Sequence, residues 1–257
     1  MLRDCGVIIV AAGKGVRLGG EIPKQFQLLE RKPLFAWSLD FFLGQEEVAH
    51  VVLAVPTEWQ KRVQGMLSEW GILERVSVVE GGALRQDSVL NGIESLPPEC
   101  RIVAVHDAAR PFPPHHFSEL CQLARECGGA IFGCPIVETV KRVREGWIED
   151  TLDRSVLWAA QTPQVFARET LHDALRKARQ EGKEFTDDAA AVAATGSPVR
   201  MVKGSRWNLK ITTPEDLLFA EWIAMKFHQK KCCDDISDST GSHRESLLRE
   251  ETSNGNA

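Results

Sequence analysis

Val7-Ile8-Ile9-Val10-Ala11-Ala12-Gly13-Lys14-Gly15-Val16-Arg17-Leu18-Gly19-Gly20, with Pro23-Lys24-Gln25 close behind, is the stretch on which the fold turns. A continuous apolar run stopped by glycines reads as a strand covered on both faces, as strands of parallel sheets are. The same kind of run recurs at His50–Val55, Val76–Val79, Ile102–His106, Ala130–Cys134 and Val199–Val202. Between the runs the apolar residues return at helical spacing: Leu34, Phe35, Leu39 and Phe42, then Val63, Met66, Leu67 and Trp70. Val89, Leu90 and Ile93, then Phe117, Leu120, Cys121 and Ala124, continue it. Strand and helix in alternation imply right-handed crossovers and an open α/β sheet, mostly parallel, with helices on both faces. Ligands of such sheets bind beyond the carboxyl ends of the strands.

Thr57 with Gln60 has the spacing of a capping box, and Thr213-Pro214-Glu215-Asp216 starts a last helix near Pro214 that should end near Gln229. Val137–Val143 and Trp147–Leu152 flank Arg144-Glu145-Gly146 and break the alternation. They read as a projecting β-hairpin, which is marginal alone in water and so calls for a packing partner, most simply a second subunit. Residues 230–257 are polar, with six acids against four bases, and bury too little area to order themselves. The division expected is a domain over 1–229, an arm at 137–152 within it, and a loose tail over 230–257.

The formal net charge of −5 excludes a surface devoted wholly to nucleic acid or anionic lipid, so any anion site must be local. Seven cysteines, an odd set without a C-x-x-C pair, suit reduced core thiols. Met1 to Ala12 is too short to span a membrane and lacks a cationic signal-peptide start. A cytoplasmic protein is expected, with neither nucleic acid nor membrane as partner.

Three loops at strand ends could carry chemistry. In the first, backbone N–H groups around Ala11, Ala12, Gly13 and Gly15 can form a phosphate nest, and Arg17 and Lys24 add two cations to the same loop. A dinucleotide fingerprint would need its third glycine at Leu18, and the P-loop spacing is absent, so the segment alone fits an anion site or a solvated turn equally. Gly81-Gly82-Ala83-Leu84-Arg85-Gln86-Asp87-Ser88 is the second: its donors and Ser88 could read a base edge, or Asp87 or Ser88 could simply cap a helix. In the third, Asp107 follows a buried run, where its carboxylate could hold Mg²⁺ against phosphates or cap a turn. His106 reads as a satisfied core imidazole rather than a catalyst. Arg154 and Lys210 are cations beside hydroxyl-rich turns, suited to a phosphate-bearing second substrate.

Taken together, these blocks, with Thr151-Leu152-Asp153-Arg154-Ser155, Gln161-Thr162-Pro163-Gln164, Thr186-Asp187-Asp188-Ala189 and Asn208-Leu209-Lys210-Ile211-Thr212-Thr213-Pro214, resemble the 2-C-methyl-D-erythritol 4-phosphate cytidylyltransferase family from about Gly6 to Phe227. The resemblance implies a Rossmann-like sheet of the nucleotide-diphospho-sugar transferase type. It also implies an enzyme of the non-mevalonate isoprenoid pathway, using CTP, methylerythritol phosphate and Mg²⁺ or another divalent cation. Its residue roles would make Arg17 and Lys24 catalytic and place cytidine on Ala11, Ala12, Gly13, Gly15, Gly82 and Ser88. The alcohol phosphate would fall to Asp107, Thr139, Arg154, Thr162 and Lys210, with Thr139 reaching a partner subunit's site in a homodimer built through the arm. Glu138 stands where the family commonly has Asp. A ribitol-5-phosphate cytidylyltransferase is the nearest alternative. A nicotinamide-dependent oxidoreductase is opposed by the missing third glycine and by Glu30 lying in a turn, and a non-catalytic nucleotide-binding protein by the presence of both Arg17 and Lys24.

Overall fold

A computed structural model describes residues 2–13 and 22–226. Strand β1 (Cys5–Val10) shows why the sheet forms: its side chains alternate between two apolar layers, Val7 and Ile9 to one and Ile8 to the other. Strands β2 (Leu28–Leu29) and β3 (Lys32–Pro33) form a small hairpin, turned at Glu30 and Arg31, before helix α1 (Leu34–Leu43). Then come β4 (Val48–Val55), α2 (Gln60–Glu69), β5 (Val76–Glu80), α3 (Arg85–Ser95), β6 (Ile102–Asp107), α4 (Phe117–Cys127) and β7 (Gly129–Pro135). The arm strands β8 (Lys141–Arg144) and β9 (Trp147–Thr151) lead to β10 (Trp158–Ala167), α5 (Arg168–Gln180), α6 (Asp188–Ala193), β11 (Arg200–Lys203) and a helix α7 over 214–226.

The main sheet has seven strands in the order β11-β7-β10-β6-β1-β4-β5. All its pairings are parallel except those of β10, which runs antiparallel between β6 and β7. Phe35, Leu39 and Phe42 of α1, Val63 and Leu67 of α2, and Phe117 and Leu120 of α4 cover one face. Val89, Leu90 and Ile93 of α3, Leu171 and Leu175 of α5, and Val192 of α6 cover the other. A satellite core of Leu29, Leu34, Phe112, Ile211, Ala220 and Ile223 docks α7 beside the β2–β3 hairpin, and so fixes the loops bearing Lys24 and Lys210. The five described cysteines are free thiols, three of them buried. No helix among the described residues is long and apolar enough to cross a membrane.

Three sequence readings change. Thr57 caps nothing: its hydroxyl donates to the Glu80 carboxylate, and α2 starts three residues later without a side-chain cap. The segment Gln161-Thr162-Pro163-Gln164, which falls in none of the strand candidates, is the middle of β10, where a register shift between Ala160 and Gln164 admits Pro163. The arm turns at Glu145 and Gly146, both at positive φ, and its first strand starts at Lys141 rather than Val137. Every residue of β8 and β9 is exposed, including Val143, Trp147 and Ile148. The last helix starts at 214 as expected, held by Asp216, whose carboxylate accepts from the Thr212 and Thr213 backbone N–H groups. Its expected end at Gln229 and the segment 230–257 lie outside the described residues.

Candidate active site

At the carboxyl ends of β1, β5 and β6 lies a pocket of about 600 Å³, ample for a nucleotide. Val10–Gly13 form one wall, Gly82–Arg85 and Ser88 a second, and Asp107–Ala109 the floor, with Lys24, Gln25 and Lys210 at the side. A Cβ on Gly81 would collide with that of Ala12, so only glycine lets the first two loops close on one another. The buried Gln25 secures the first loop by donating from Nε2 to the carbonyls of Ala11 (2.5 Å) and Gly13 (2.9 Å). Next to it, Lys24 Nζ donates to Ile211 O at 3.0 Å, which ties the catalytic candidate to the segment that carries Lys210. Gly15 and Arg17 lie outside the described residues.

Ser88 is buried, and its hydroxyl accepts from Gly82 N (3.0 Å) and donates to Leu84 O (3.3 Å). Asp87, at the third position of α3, accepts from Leu84 N. Both side chains therefore shape the loop, which leaves backbone groups and small residues to line the pocket. Ser88, expected to read a base edge or to cap the helix, stands in the pocket wall with its hydroxyl bonded within its own loop.

Asp107 is the centre of charge. Arg85 Nε meets its Oδ1 at 3.2 Å, while Lys210 Nζ and Arg110 Nε lie 2.8 and 3.9 Å from Oδ2. Burial alone would raise this carboxyl, but Arg85 and Lys210, with Arg110, hold it well below the ordinary carboxylate range. A carboxylate shared among three cations offers little to a divalent metal, and no group of three or more His, Cys, Asp or Glu gathers among the described residues. Asp107, the expected metal ligand, stands on the floor of the larger pocket with its carboxylate engaged by these three cations.

A second pocket of about 220 Å³ opens across the same cluster, lined by Arg85, Asp107, Arg110, Lys210 and β10 residues including Gln161, Thr162 and Gln164, with Thr186 and Asp187. Thr162 lines it, but its hydroxyl is committed, accepting from Asp107 N at 3.0 Å and facing His106 Nδ1 at 3.2 Å. The other nitrogen, His106 Nε2, sits 2.9 Å from Arg110 O and must donate there, so Nδ1 accepts from Thr162. His106 is a satisfied core imidazole, as the sequence suggested. Burial lowers its pKa to about 4, so the unfolded chain takes up a proton that the native imidazole refuses as pH falls below 6.5. Stability is full above that value and declines through the window down to about 4. Between pH 7 and 5 the loss should be about 2 kcal/mol, and a His106→Gln protein should show a correspondingly flatter dependence of its denaturation midpoint on pH.

Thr139 and Arg154 enter neither pocket of their own chain. Both are exposed at the base of the arm, where Arg154 donates to Val137 O. Arg85, Arg110, Asn208 and Gln25 were not singled out from sequence as site residues. Asn208 is fully buried, accepts from Arg110 Nη1 on its carbonyl (2.7 Å) and donates to Thr162 O (2.8 Å). Arg85 and Arg110 stand inside two of the quoted loops, and their cationic character was the available signal.

The sequence model of the 2-C-methyl-D-erythritol 4-phosphate cytidylyltransferase family matches residues 5–226. The enzyme of that name from Geobacillus kaustophilus is 41% identical over 217 residues, covering 84% of this chain and 95% of the relative. That from Carboxydothermus hydrogenoformans is 40% identical over 232 residues, 90% and 99% of the two chains. Among solved structures, the Thermus thermophilus 2-C-methyl-D-erythritol 4-phosphate cytidylyltransferase superposes with a TM-score of 0.70 at 30% identity, over 85% of this chain and 98% of its own. The 4-diphosphocytidyl-2C-methyl-D-erythritol synthase of Anaerococcus prevotii reaches 0.76 at 24% identity, over 87% and 96%, a likeness of fold.

Proposed function

The chain belongs to the 2-C-methyl-D-erythritol 4-phosphate cytidylyltransferase family, and on that premise we propose that its two pockets bring CTP and 2-C-methyl-D-erythritol 4-phosphate together for transfer of the cytidylyl group. The products are 4-diphosphocytidyl-2-C-methyl-D-erythritol and pyrophosphate. The observation that carries the assignment of sites is the shared wall: Arg85, Asp107 and Lys210 line both the larger, glycine-walled pocket and the smaller one. Cytidine lies against Ala11–Gly13 and the Gly82 loop, with its triphosphate toward Lys24, and Arg17 is the second catalytic cation that the family resemblance implies. The alcohol phosphate occupies the smaller pocket, near Lys210. Its oxygen is already ionised at neutral pH, so the pocket need only orient an in-line attack on the α-phosphorus and stabilise the charge that develops there. This accounts for the want of an acid–base pair at the junction, where the imidazole of His106 is buried and neutral.

Among the described residues no group of three or more His, Cys, Asp or Glu gathers, so the cation expected with CTP is read as a companion of the triphosphate oxygens. Titration of Mn²⁺ into protein alone should therefore show no tight site, and EDTA should still abolish turnover. Tight stoichiometric binding without CTP would place the cation on the protein. Pyrophosphate release, measured with CTP, UTP and ATP against methylerythritol phosphate and ribitol 5-phosphate, should be fastest for CTP with the erythritol. Equal or faster turnover of ribitol 5-phosphate would overturn the acceptor assignment.

The arm makes the enzyme a homodimer in this reading. Val143, Trp147 and Ile148 are 55%, 80% and 66% exposed, and a bare apolar hairpin of this kind gains by packing on a second copy. Thr139 then completes the partner's pocket, and Arg154, bonded to Val137 at the same base, travels with it. Trp147→Glu should shift the sedimentation of the protein from dimer to monomer and raise KM for the alcohol phosphate more than KM for CTP. The domain spans 1–229, and a cytoplasmic setting suits its free thiols.

A further inference from the structure

Arg85 spans two carboxylates that lie far apart in the chain. Its Nη1 donates to Asp188 Oδ2 at 2.7 Å across 103 residues, while Nε faces Asp107 Oδ1 at 3.2 Å. The Asp188 side chain is 1% exposed, and the start of its helix is pinned from β10. There Gln164 donates to Asp187 and accepts from Ala189 N at 2.9 Å, while Asp187 accepts from Ala190 N. Asp188 thus has little freedom, and it passes that rigidity to the guanidinium.

Stability does not explain the pair. Asp188 Oδ1 and Arg85 Nη2 are both buried without a hydrogen-bond partner, and a buried ion pair with unsatisfied members recovers its desolvation cost poorly against an apolar substitute. What the arrangement supplies is orientation. Without it, the Asp107 carboxylate could rotate between Arg110 and Lys210. With Oδ1 held by Arg85, Oδ2 faces Lys210 at 2.8 Å, with Arg110 farther off at 3.9 Å, which fixes the ammonium on the wall that the smaller pocket shares with the larger. Burial opposes the charge on Arg85, yet Asp188 and Asp107 together hold its pKa above the ordinary value, so the clamp stays charged.

We propose that Asp188 is a positioning residue for the acceptor: it anchors Arg85, which fixes Asp107 and through it Lys210 in the geometry that receives the alcohol phosphate. The proposal rests on the cytidylyltransfer reading above and adds to it a residue remote from both reacting phosphates.

The test is a double-mutant cycle on the full chain, with KM for each substrate and kcat measured for wild type, Asp188→Asn, Arg85→Gln and the double variant. Asp188→Asn should raise KM for methylerythritol phosphate about tenfold, a coupling of the size found between contacting residues, and leave KM for CTP within about twofold. The double variant should lose no more than Arg85→Gln alone. Equal rises in both KM values, multiplicative losses in the double variant, or a wild-type acceptor KM in Asp188→Asn would each overturn the proposal. Should Asp188→Asn fail to fold, Arg85→Lys carries the test, because an ammonium keeps the charge but lacks the rigid fork whose Nε and Nη1 reach the two carboxylates separately. It should reproduce the acceptor-selective rise, and a rise shared with CTP would count against the anchor. Failure of the underlying reading shows differently, as a wild-type enzyme that does not turn over CTP with methylerythritol phosphate.

Discussion

Replacing Lys24 by Ala should lower kcat by about 10²- to 10³-fold, the loss typical when one preorganised charge-stabilising donor is removed from a closed site. The lysine stands on a single turn of 3-10 helix, Lys24–Phe26, whose Gln25 and Phe26 are buried. The chain is therefore held directly after the truncated residue, and the melting temperature should hardly move. In the absence of substrate the ammonium donates to the Ile211 carbonyl, a neutral acceptor that a triphosphate oxygen would outbid by its charge. The interaction gained is thus one that strengthens as charge builds on the α-phosphate, and it belongs in kcat more than in KM. Rapid-quench measurement of pyrophosphate release reports that step, and a rate within about tenfold of wild type would remove Lys24 from the chemistry. The same loss is expected of Arg17→Ala.

Asp107→Ala should be the most damaging single change to both stability and acceptor use. It removes the one carboxylate that Arg85, Arg110 and Lys210 share, and leaves Arg85 to Asp188 and the largely shielded Arg110 guanidinium without its Asp107 partner. Stripping one partner from a buried ion pair costs about 3 kcal/mol or more, which chemical denaturation would read directly. Asp107→Asn separates the two roles, since it keeps the volume and part of the hydrogen bonding without the charge. It should recover part of the stability while kcat/KM for the alcohol phosphate stays low. Full recovery of activity in Asp107→Asn would show that the negative charge has no part in holding Lys210. The sign of the pH effect follows from the depressed pKa of Asp107: its stabilising contribution is complete above the ordinary carboxylate value and is lost only in stronger acid. It therefore falls in a window below that of His106, and the two can be told apart by titration.

Residues with one job were easy to read from sequence. The strands β1, β4 and β6 are apolar throughout because each is covered on both faces, and Lys24 and Lys210 attract notice because a cation at a strand end has little structural reason to be there. Strand β10 was missed because its polar centre is part of a pocket wall: Gln161, Thr162 and Gln164 replace the apolar residues a buried strand normally shows, and Pro163 argues against a central strand. Ser88 and Asp107 were found but their partners within the chain were not, since a hydroxyl or carboxylate in a loop announces a hydrogen bond without saying to what. The cluster of Arg85, Asp107 and Asp188 needs contacts across 22 and 103 residues, and no local pattern encodes those. The arm was legible by its alternation and its turn, though its unstructured base from Val137 was not.

The place of β10 in the sheet also sets the order in which a nascent chain can finish folding. It inserts between β6 and β7, both of which precede it in the sequence. Until Ala167 has left the ribosome, those two apolar strands each keep an open edge, the feature by which incomplete sheets recruit wrong partners. The strand that closes those edges also brings the Thr162 hydroxyl to the Asp107 amide. A polypeptide halted before that point would hold a nearly complete nucleotide wall and no acceptor wall, with its two stickiest edges bare. For this chain, covering those edges and beginning the acceptor wall are the work of one late strand.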